Sequence, residues 1–182
     1  HGTRHREIVN QVSRGIRNDV AFPYSCTVRF KFPPQKTLPA FELHWYDGGM
    51  KPNIPDELEN VAELPSEGML IVGDQGKILA GFNSENPKLI PEARMKDWLK
   101  GRTLAPDERE SWQDLWIDAF LAGKESPGSF LLAGPVTETI QLGAVALRTG
   151  KRLLYDSKAM SITNAPELDR YFRREYRPGW EI

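Results

Sequence analysis

The sequence predicts an α+β fold, in which a largely antiparallel, partly mixed open sheet carries helices on one face. Two observations support this fold class. Several segments alternate apolar and polar residues, as half-buried strands do, and two later segments repeat apolar residues at helical spacing. Small residues at 143, 144 and 146 would let the second helix lie close to a sheet. Helices that cover one face of an antiparallel sheet give an α+β architecture.

The first strand prediction covers residues 25–32 and the second begins at Phe41. The apolar face of the first contains Cys26, Val28, Phe30 and Phe32, and its polar face Ser25, Thr27, Arg29 and Lys31. A turn at 33–36 joins the two strands, which we therefore expect to pair antiparallel. Residues 68–72 and 77–82 flank Gly-Asp-Gln-Gly, which indicates a hairpin. The proline-containing stretch 52–65 between them is typical of an exposed connection or a short helix.

Two helices are predicted after the hairpin. The first contains Trp112, Leu115, Trp116, Ala119 and Phe120, has acidic residues at 107, 108 and 110 in its first turn, and stops at Gly123. The second should begin at Pro135, bury a stripe of Val136, Ile140, Ala144 and Leu147, and end at Gly150. Short strands at 152–155 and 160–163, and a short helix at 166–173 opened by Asn164, complete the prediction.

Composition limits the classes of function. The 182 residues fit a single domain, and a net charge of −1 with mixed signs offers no basic field for nucleic acid or an anionic membrane. No unbroken apolar run approaches the ~20 residues that span a bilayer, so we expect a soluble cytoplasmic or periplasmic protein without a membrane partner. The one cysteine excludes an intrachain disulfide and a Cys/His metal site. A start without Met or a signal peptide suggests a piece of a longer protein.

The end of the strand that begins at Phe41 is the predicted ligand edge. Residues 45–52 read Trp-Tyr-Asp-Gly-Gly-Met-Lys-Pro, so aromatic and polar side chains meet a glycine turn. Trp45 and Tyr46 could stack on or hydrogen-bond to a sugar or polyol, with Asp47 as a hydroxyl acceptor and Lys51 as a donor. An ordinary half-buried strand with its turn is the alternative interpretation. The apolar-face position of Trp45 favours a core role, which makes Tyr46 the stronger candidate.

Several common sites are absent from the sequence. It contains no G-x-G-x-x-G or G-x-x-x-x-G-K-[ST] loop, so we expect no NAD or nucleotide phosphate site in this chain. The histidines do not form H-E-x-x-H, and no serine occupies G-x-S-x-G. The carboxylates of the first predicted helix are explained by the helix dipole and a solvated face. We therefore assign no catalytic residue.

Five blocks in fixed order are similar to the C-terminal domain of the bacterial-type Gfo/Idh/MocA family, which is named after glucose-fructose oxidoreductase, inositol dehydrogenase and MocA. The resemblance extends from about residue 25 to the end. The blocks are Trp-Tyr-Asp-Gly-Gly with Lys-Pro at 45–52, Gly-Asp-Gln-Gly-Lys at 73–77, Ala-Gly-Pro-Val-Thr-Glu at 133–138, Leu-Arg-Thr-Gly-Lys at 147–151, and Arg-Arg-Glu-Tyr-Arg-Pro-Gly-Trp at 173–180.

The resemblance implies that residues 1–182 form one substrate-binding and oligomerisation domain of an NAD(P)-dependent sugar or polyol oxidoreductase. Its first 20 residues would lie near the junction with an N-terminal Rossmann domain that binds NAD or NADP and is missing here. The family's Glu-Lys-Pro motif belongs to that domain, and Lys51-Pro52 does not replace it because Gly49-Met50 precedes it. The chain alone would bind no cofactor and catalyse nothing.

Two alternatives remain open. In a noncatalytic assembly module, the polar sheet face would pack on a second copy as a homo-oligomer. That face contains Thr27, Arg29, Lys31, Glu42 and His44. In a relative that cleaves glycosides, the same hydride chemistry would serve a different reaction, since fold does not determine function.

Overall fold

A computed structural model describes residues 5–14, 21–58, 61–103 and 111–181 and confirms the α+β class, with two antiparallel sheets and four helices. In chain order the elements are β1 His5–Arg14, β2 Ser25–Phe32, β3 Phe41–Tyr46, β4 Met69–Gly73, β5 Gly76–Ala80, β6 Lys88–Ile90, α1 Glu92–Leu99, α2 Trp112–Leu121, α3 Phe130–Thr149, β7 Leu153–Asp156, β8 Ser161–Ile162 and the 3₁₀ helix Pro166–Phe172. The described residues up to Met50 and from Gly128 onward form one compact unit, and those between them form a second.

The first unit is built on a five-stranded sheet in the order β3-β2-β1-β7-β8, with every neighbouring pair antiparallel. The predicted pairing of β2 with β3 is confirmed, and β7 and β8 match the two short strands expected near the C-terminus. The central strand β1 was not predicted. Its Ile8 is fully buried between Phe30 of β2 and Leu153 of β7 in the register.

One face of this sheet forms the core. Cys26, Val28 and Phe30 are buried as the alternation of β2 predicts, while Thr27, Arg29 and Lys31 stay partly accessible. Ser25 departs from the pattern, since it is buried as well. The rest of the core comes from β1, α3, β7, β8 and the 3₁₀ helix, and includes Ile8, Leu142, Val145, Ala146, Leu153, Tyr155, Ile162, Ala165 and Leu168.

Helix α3 covers β1 and part of β2, but two predictions for it were wrong. It begins at Phe130, and Pro135 lies inside it because three apolar residues extend the helix upstream of the proline. Its buried residues are Leu142, Gly143, Val145 and Ala146. Of the predicted stripe, Val136 and Ile140 are exposed, and Leu147 is partly buried against the core.

The small residue at 143 explains this orientation of α3. A Cβ atom built on Gly143 would lie 2.8 Å from Cζ of Phe30, so the helix turns its thinnest point toward the sheet. The predicted end at Gly150 is confirmed, and its φ of 66° is the left-handed conformation that a glycine cap provides. The short 3₁₀ helix lies where a short helix was expected. Asn164 does not cap it, however, and instead bonds the Arg152 carbonyl and the Leu154 amide.

The second unit contains the three-stranded sheet β4-β5-β6 with α1 and α2. The predicted hairpin is confirmed as β4 and β5, but it belongs to a separate sheet, and β6 and α1 were not predicted. The described part of the 52–65 connection contains a turn from Pro55 to Leu58 and no helix. Helix α2 begins at Trp112 after Ser111, whose hydroxyl accepts from the Asp114 amide. The acidic residues predicted for its first turn, 107, 108 and 110, lie outside the described residues.

Helix α3 is also long and apolar enough to cross a bilayer by length and composition, which the sequence analysis did not foresee. Its second half packs on the sheet through Leu142, Gly143, Val145 and Ala146. Its first half remains exposed, and Phe130, Leu131 and Leu132 are its most prominent apolar residues.

We expect the contact at Gly143 to be intolerant of even one methyl group. Gly143→Ala and Gly134→Ala add the same atom to the same helix, but the added Cβ meets Phe30 at 143 and open space at 134. Both gain helix propensity, so overpacking alone should make Gly143→Ala less stable than Gly134→Ala by about 1–3 kcal/mol. Urea unfolding checks this, and equal stabilities of the two variants would contradict the close approach.

Candidate functional site

The predicted ligand edge is the end of β3 and the turn that follows. In the register with β2, Trp45 pairs with Val28 and therefore faces the same side as the core, whereas Tyr46 pairs with Thr27 and faces the open side. Asp47 follows in the turn. The strand thus directs its two aromatic candidates to opposite faces of the sheet.

Asp47 fastens this turn to the neighbouring strand. Its Oδ1 accepts hydrogen bonds from the Cys26 amide at 3.0 Å and from the Cys26 thiol at 3.3 Å. Its own amide donates to the Cys26 carbonyl at 3.1 Å. Gly48 then takes a φ of 62°, and a Cβ there would overlap the Tyr24 carbonyl oxygen and Ser25. The residue at 48 must therefore be glycine on two grounds, backbone conformation and space.

Trp45 is more exposed than its apolar-face position predicts. β3 is an edge strand, and α3 packs on β1 and β2, so the helix leaves the core-side face of β3 uncovered. Trp45 is 48% exposed, and Phe41 and Leu43 on the same face are exposed to a similar degree. The expectation that Trp45 serves chiefly as a core residue therefore does not match its surroundings.

Trp45 and Asp47 form a pair. The indole Nε1 donates to Asp47 Oδ2 at 3.4 Å, which places a carboxylate at the edge of an accessible aromatic ring. An accessible ring supplies a flat apolar surface, and a carboxylate oxygen accepts hydrogen bonds from hydroxyl groups. Chemically, this pair can stack on one face of a sugar or polyol and accept one of its hydroxyl protons.

The other two candidates, Tyr46 and Lys51, have contacts of their own. Tyr46 is on the open face, where its ring lies 6.4 Å from that of His44. Lys51 belongs to the second unit, and its Nζ donates to Glu63 at 2.6 Å and to the Leu64 carbonyl at 2.7 Å. It also lines a mainly apolar cavity of about 180 Å³ with Pro52, Ile54, Ala62, Glu63 and Leu64. The bonds to Glu63 and Leu64 engage two of the three N–H donors of the Lys51 ammonium.

The open face of the sheet carries a row of alternating charges. Arg152 Nε lies 2.9 Å from Glu7, Lys31 Nζ lies 3.8 Å from Glu7 and 3.7 Å from Glu42, and His44 Nε2 lies 3.0 Å from Glu42. The hydrogen bond from His44 is the main reason that the pKa of Glu42 is lowered. Sequence reasoning found Lys31, Glu42 and His44 but missed Glu7 and Arg152, because no strand had been predicted at β1.

Arg29 lies on the same face between these charges. Its Nε is buried and has no hydrogen-bond partner in the part of the chain that the structure describes.

The described residues contain no group of three or more His, Cys, Asp or Glu side chains that could hold a metal ion. Both sheets are antiparallel, and the described elements contain no parallel βαβ unit. In comparisons with known proteins, no family model, curated protein or solved structure matches this chain.

The Cys26–Asp47 contact generates a pH prediction. Burial, followed by the hydrogen bond and the charge of Asp47, raises the pKa of Cys26 from 9.0 to about 12. Between these values the unfolded chain loses the thiol proton while the folded chain keeps it, so stability should fall as pH rises from about 9 to about 12. In urea unfolding near pH 8 and pH 10.5, the wild type should therefore lose more stability than Cys26→Ala.

Asp47→Asn should lower the pKa of Cys26, since it removes the negative charge beside the thiol. The thiol of this variant should consequently react faster with a disulfide reagent near pH 10, whereas Asp74→Asn in the exposed β4–β5 turn should react like the wild type. Parallel losses of stability in the wild type and Cys26→Ala would contradict the raised pKa.

Proposed function

We propose that this chain is the substrate-binding and oligomerisation domain of an NAD(P)-dependent sugar or polyol oxidoreductase and works with a separate Rossmann domain. The observation that carries the proposal is the exposed apolar half of α3. Phe130 is 93% exposed and Leu131 79%, and Leu132, Val136 and Ile140, spaced four residues apart, form one exposed apolar face of the helix. Apolar surface left open on this scale is typical of a protein contact.

A companion domain is the occupant that best agrees with the sequence resemblance. The resemblance to the Gfo/Idh/MocA family implies a Rossmann domain, and the antiparallel sheets described above offer no dinucleotide crevice of their own. NAD or NADP would therefore be held by the companion domain, and this chain alone would bind neither. When bound there, the nicotinamide would supply the hydride chemistry.

The contribution of this chain would be to position the substrate. Trp45 would provide the stacking surface and Asp47 an acceptor for a substrate hydroxyl, while the bonds from Cys26 keep the carboxylate in place. A preorganised acceptor costs less to bind than a mobile one. Tyr46 and Lys51, which face other surroundings, would have smaller roles in this arrangement.

The polar face of the sheet favours assembly as a second function. Its row of alternating charges presents both signs, and a two-fold contact places each surface against itself, so a positive group of one copy can meet a negative group of the other. This homo-oligomer is also the basis of the alternative in which the chain acts only as an assembly module.

The substrate role is tested in the longer enzyme that contains both domains. Trp45→Ala should raise the KM for the sugar or polyol by roughly 2- to 12-fold, since an aromatic contact contributes about 0.5–1.5 kcal/mol. Leu43→Ala is the matched control, because Leu43 lies on the same face of β3 with similar exposure. The KM for the cofactor should stay unchanged in both variants. Equal substrate KM values for Trp45→Ala and Leu43→Ala would contradict the role of Trp45.

The assembly role is tested by sedimentation velocity on the chain itself. We expect a dimer or higher oligomer that dissociates in Arg29→Glu, because the reversed charge would face the acidic groups it is meant to meet. Lys124→Glu makes the same charge change at an exposed position in the other compact unit and should leave the assembly intact. A monomer at high protein concentration, with no response to Arg29→Glu, would argue against the interface.

A further inference from the structure

A strongly basic surface lies near the C-terminus, far in sequence from the ligand edge. Residues 170–177 contain four arginines and one glutamate, although the whole chain has a net charge of −1. The α3 residue Arg148 contacts the same region. The arginine surface, as we call it, consists of Arg148 and Arg170, which meet at Tyr171, together with their neighbours in the sequence Arg173, Arg174 and Arg177.

Tyr171 organises the centre of the arginine surface. The guanidinium carbon of Arg148 lies 5.7 Å from the centroid of the Tyr171 ring, and that of Arg170 lies 5.2 Å from it. Arg170 also donates to the tyrosine hydroxyl at 3.5 Å. The negative faces of an aromatic ring attract cations, so one side chain holds two guanidinium groups in place without neutralising either.

Within the described residues none of the five arginines has an ion-pair partner within 4.0 Å. Glu167 is close enough for its charge to act on Arg170, and Glu175 lies in the same run, but the carboxylates of Glu167 and Asp169 bond to other groups. Glu167 pairs with Lys151 at 2.7 Å, and Asp169 accepts from the Ile162 amide at 2.8 Å. The arginine surface therefore combines fixed cations with empty hydrogen-bonding positions.

We infer that the arginine surface binds an acidic segment of a partner polypeptide. Guanidinium groups bind carboxylates with two parallel hydrogen bonds, and an extended segment presents alternate side chains about 6.6 Å apart. Because Arg148 and Arg170 both lie within 5.7 Å of the centroid of one ring, we expect neighbouring acidic side chains of one segment to meet both. A long nucleic acid fits less well, because the rest of this slightly acidic protein offers no continuing positive field.

The experiment measures fluorescence anisotropy of a labelled hexaglutamate peptide titrated with the whole chain, with hexaglutamine as the neutral control. Hexaglutamate should bind, and its affinity should fall as salt is added, whereas hexaglutamine should not bind. The double variant Arg148→Gln/Arg170→Gln should lose about tenfold in affinity. The double variant Lys96→Gln/Lys100→Gln removes the same charge from exposed positions of α1 and its C-terminal end and should bind as the wild type does.

Three outcomes would overturn the inference. The first is no binding of hexaglutamate at low salt. The second is an equal loss of affinity in both double variants, which would show an effect of net charge alone. The third is tighter binding of a single-stranded oligonucleotide of equal charge that depends on Arg148 and Arg170. Circular dichroism of each variant establishes that a loss of binding is not a loss of folding.

Discussion

The contact between Gly143 and the Phe30 ring determines how the first unit is assembled. Because no side chain separates the helix from the sheet at that point, Leu142 and Ala146 reach the core formed by β1, β2 and β7. The same contact fixes which part of α3 is covered. Its second half becomes core, while its first half extends from the sheet with apolar residues accessible. The exposed surface on which the functional proposal rests is thus a consequence of one close approach.

Sequence patterns correctly predicted those helices and strands whose residue pattern agrees with their tertiary environment. The alternation of β2, the hairpin of β4 and β5, and the glycine at the end of α3 were all identified correctly. The central strand β1 was missed, although Ile8 anchors the core, because its residues were considered as a leader or a domain junction. The stripe predicted for α3 was wrong at Val136 and Ile140, which are exposed, whereas the prediction that its small residues let the helix lie close to the sheet is confirmed at Gly143.

The candidate site was predicted only in part. Trp45 and Asp47 do lie together, but their direct hydrogen bond and the two bonds from Cys26 to Asp47 depend on the strand register and could not be derived from spacing along the chain. Tyr46 was preferred because alternation placed Trp45 in the core. Whether a strand is buried on its core-side face depends on whether the helix packs over it. Strand β3 is the edge strand of the sheet, and α3 does not pack over it. The choice between Trp45 and Tyr46 as the ligand-binding residue therefore depends on the tertiary structure.

The central claim is that a cofactor-binding domain covers the first half of α3. It is tested most directly by thiol labelling of Val136→Cys in the isolated chain and in the longer protein. The native Cys26 is buried, and its pKa is raised to about 12, so the new thiol alone should react near neutral pH. The account predicts rapid labelling in the isolated chain and labelling slowed at least tenfold in the longer protein. Equal labelling rates in the two proteins would contradict it.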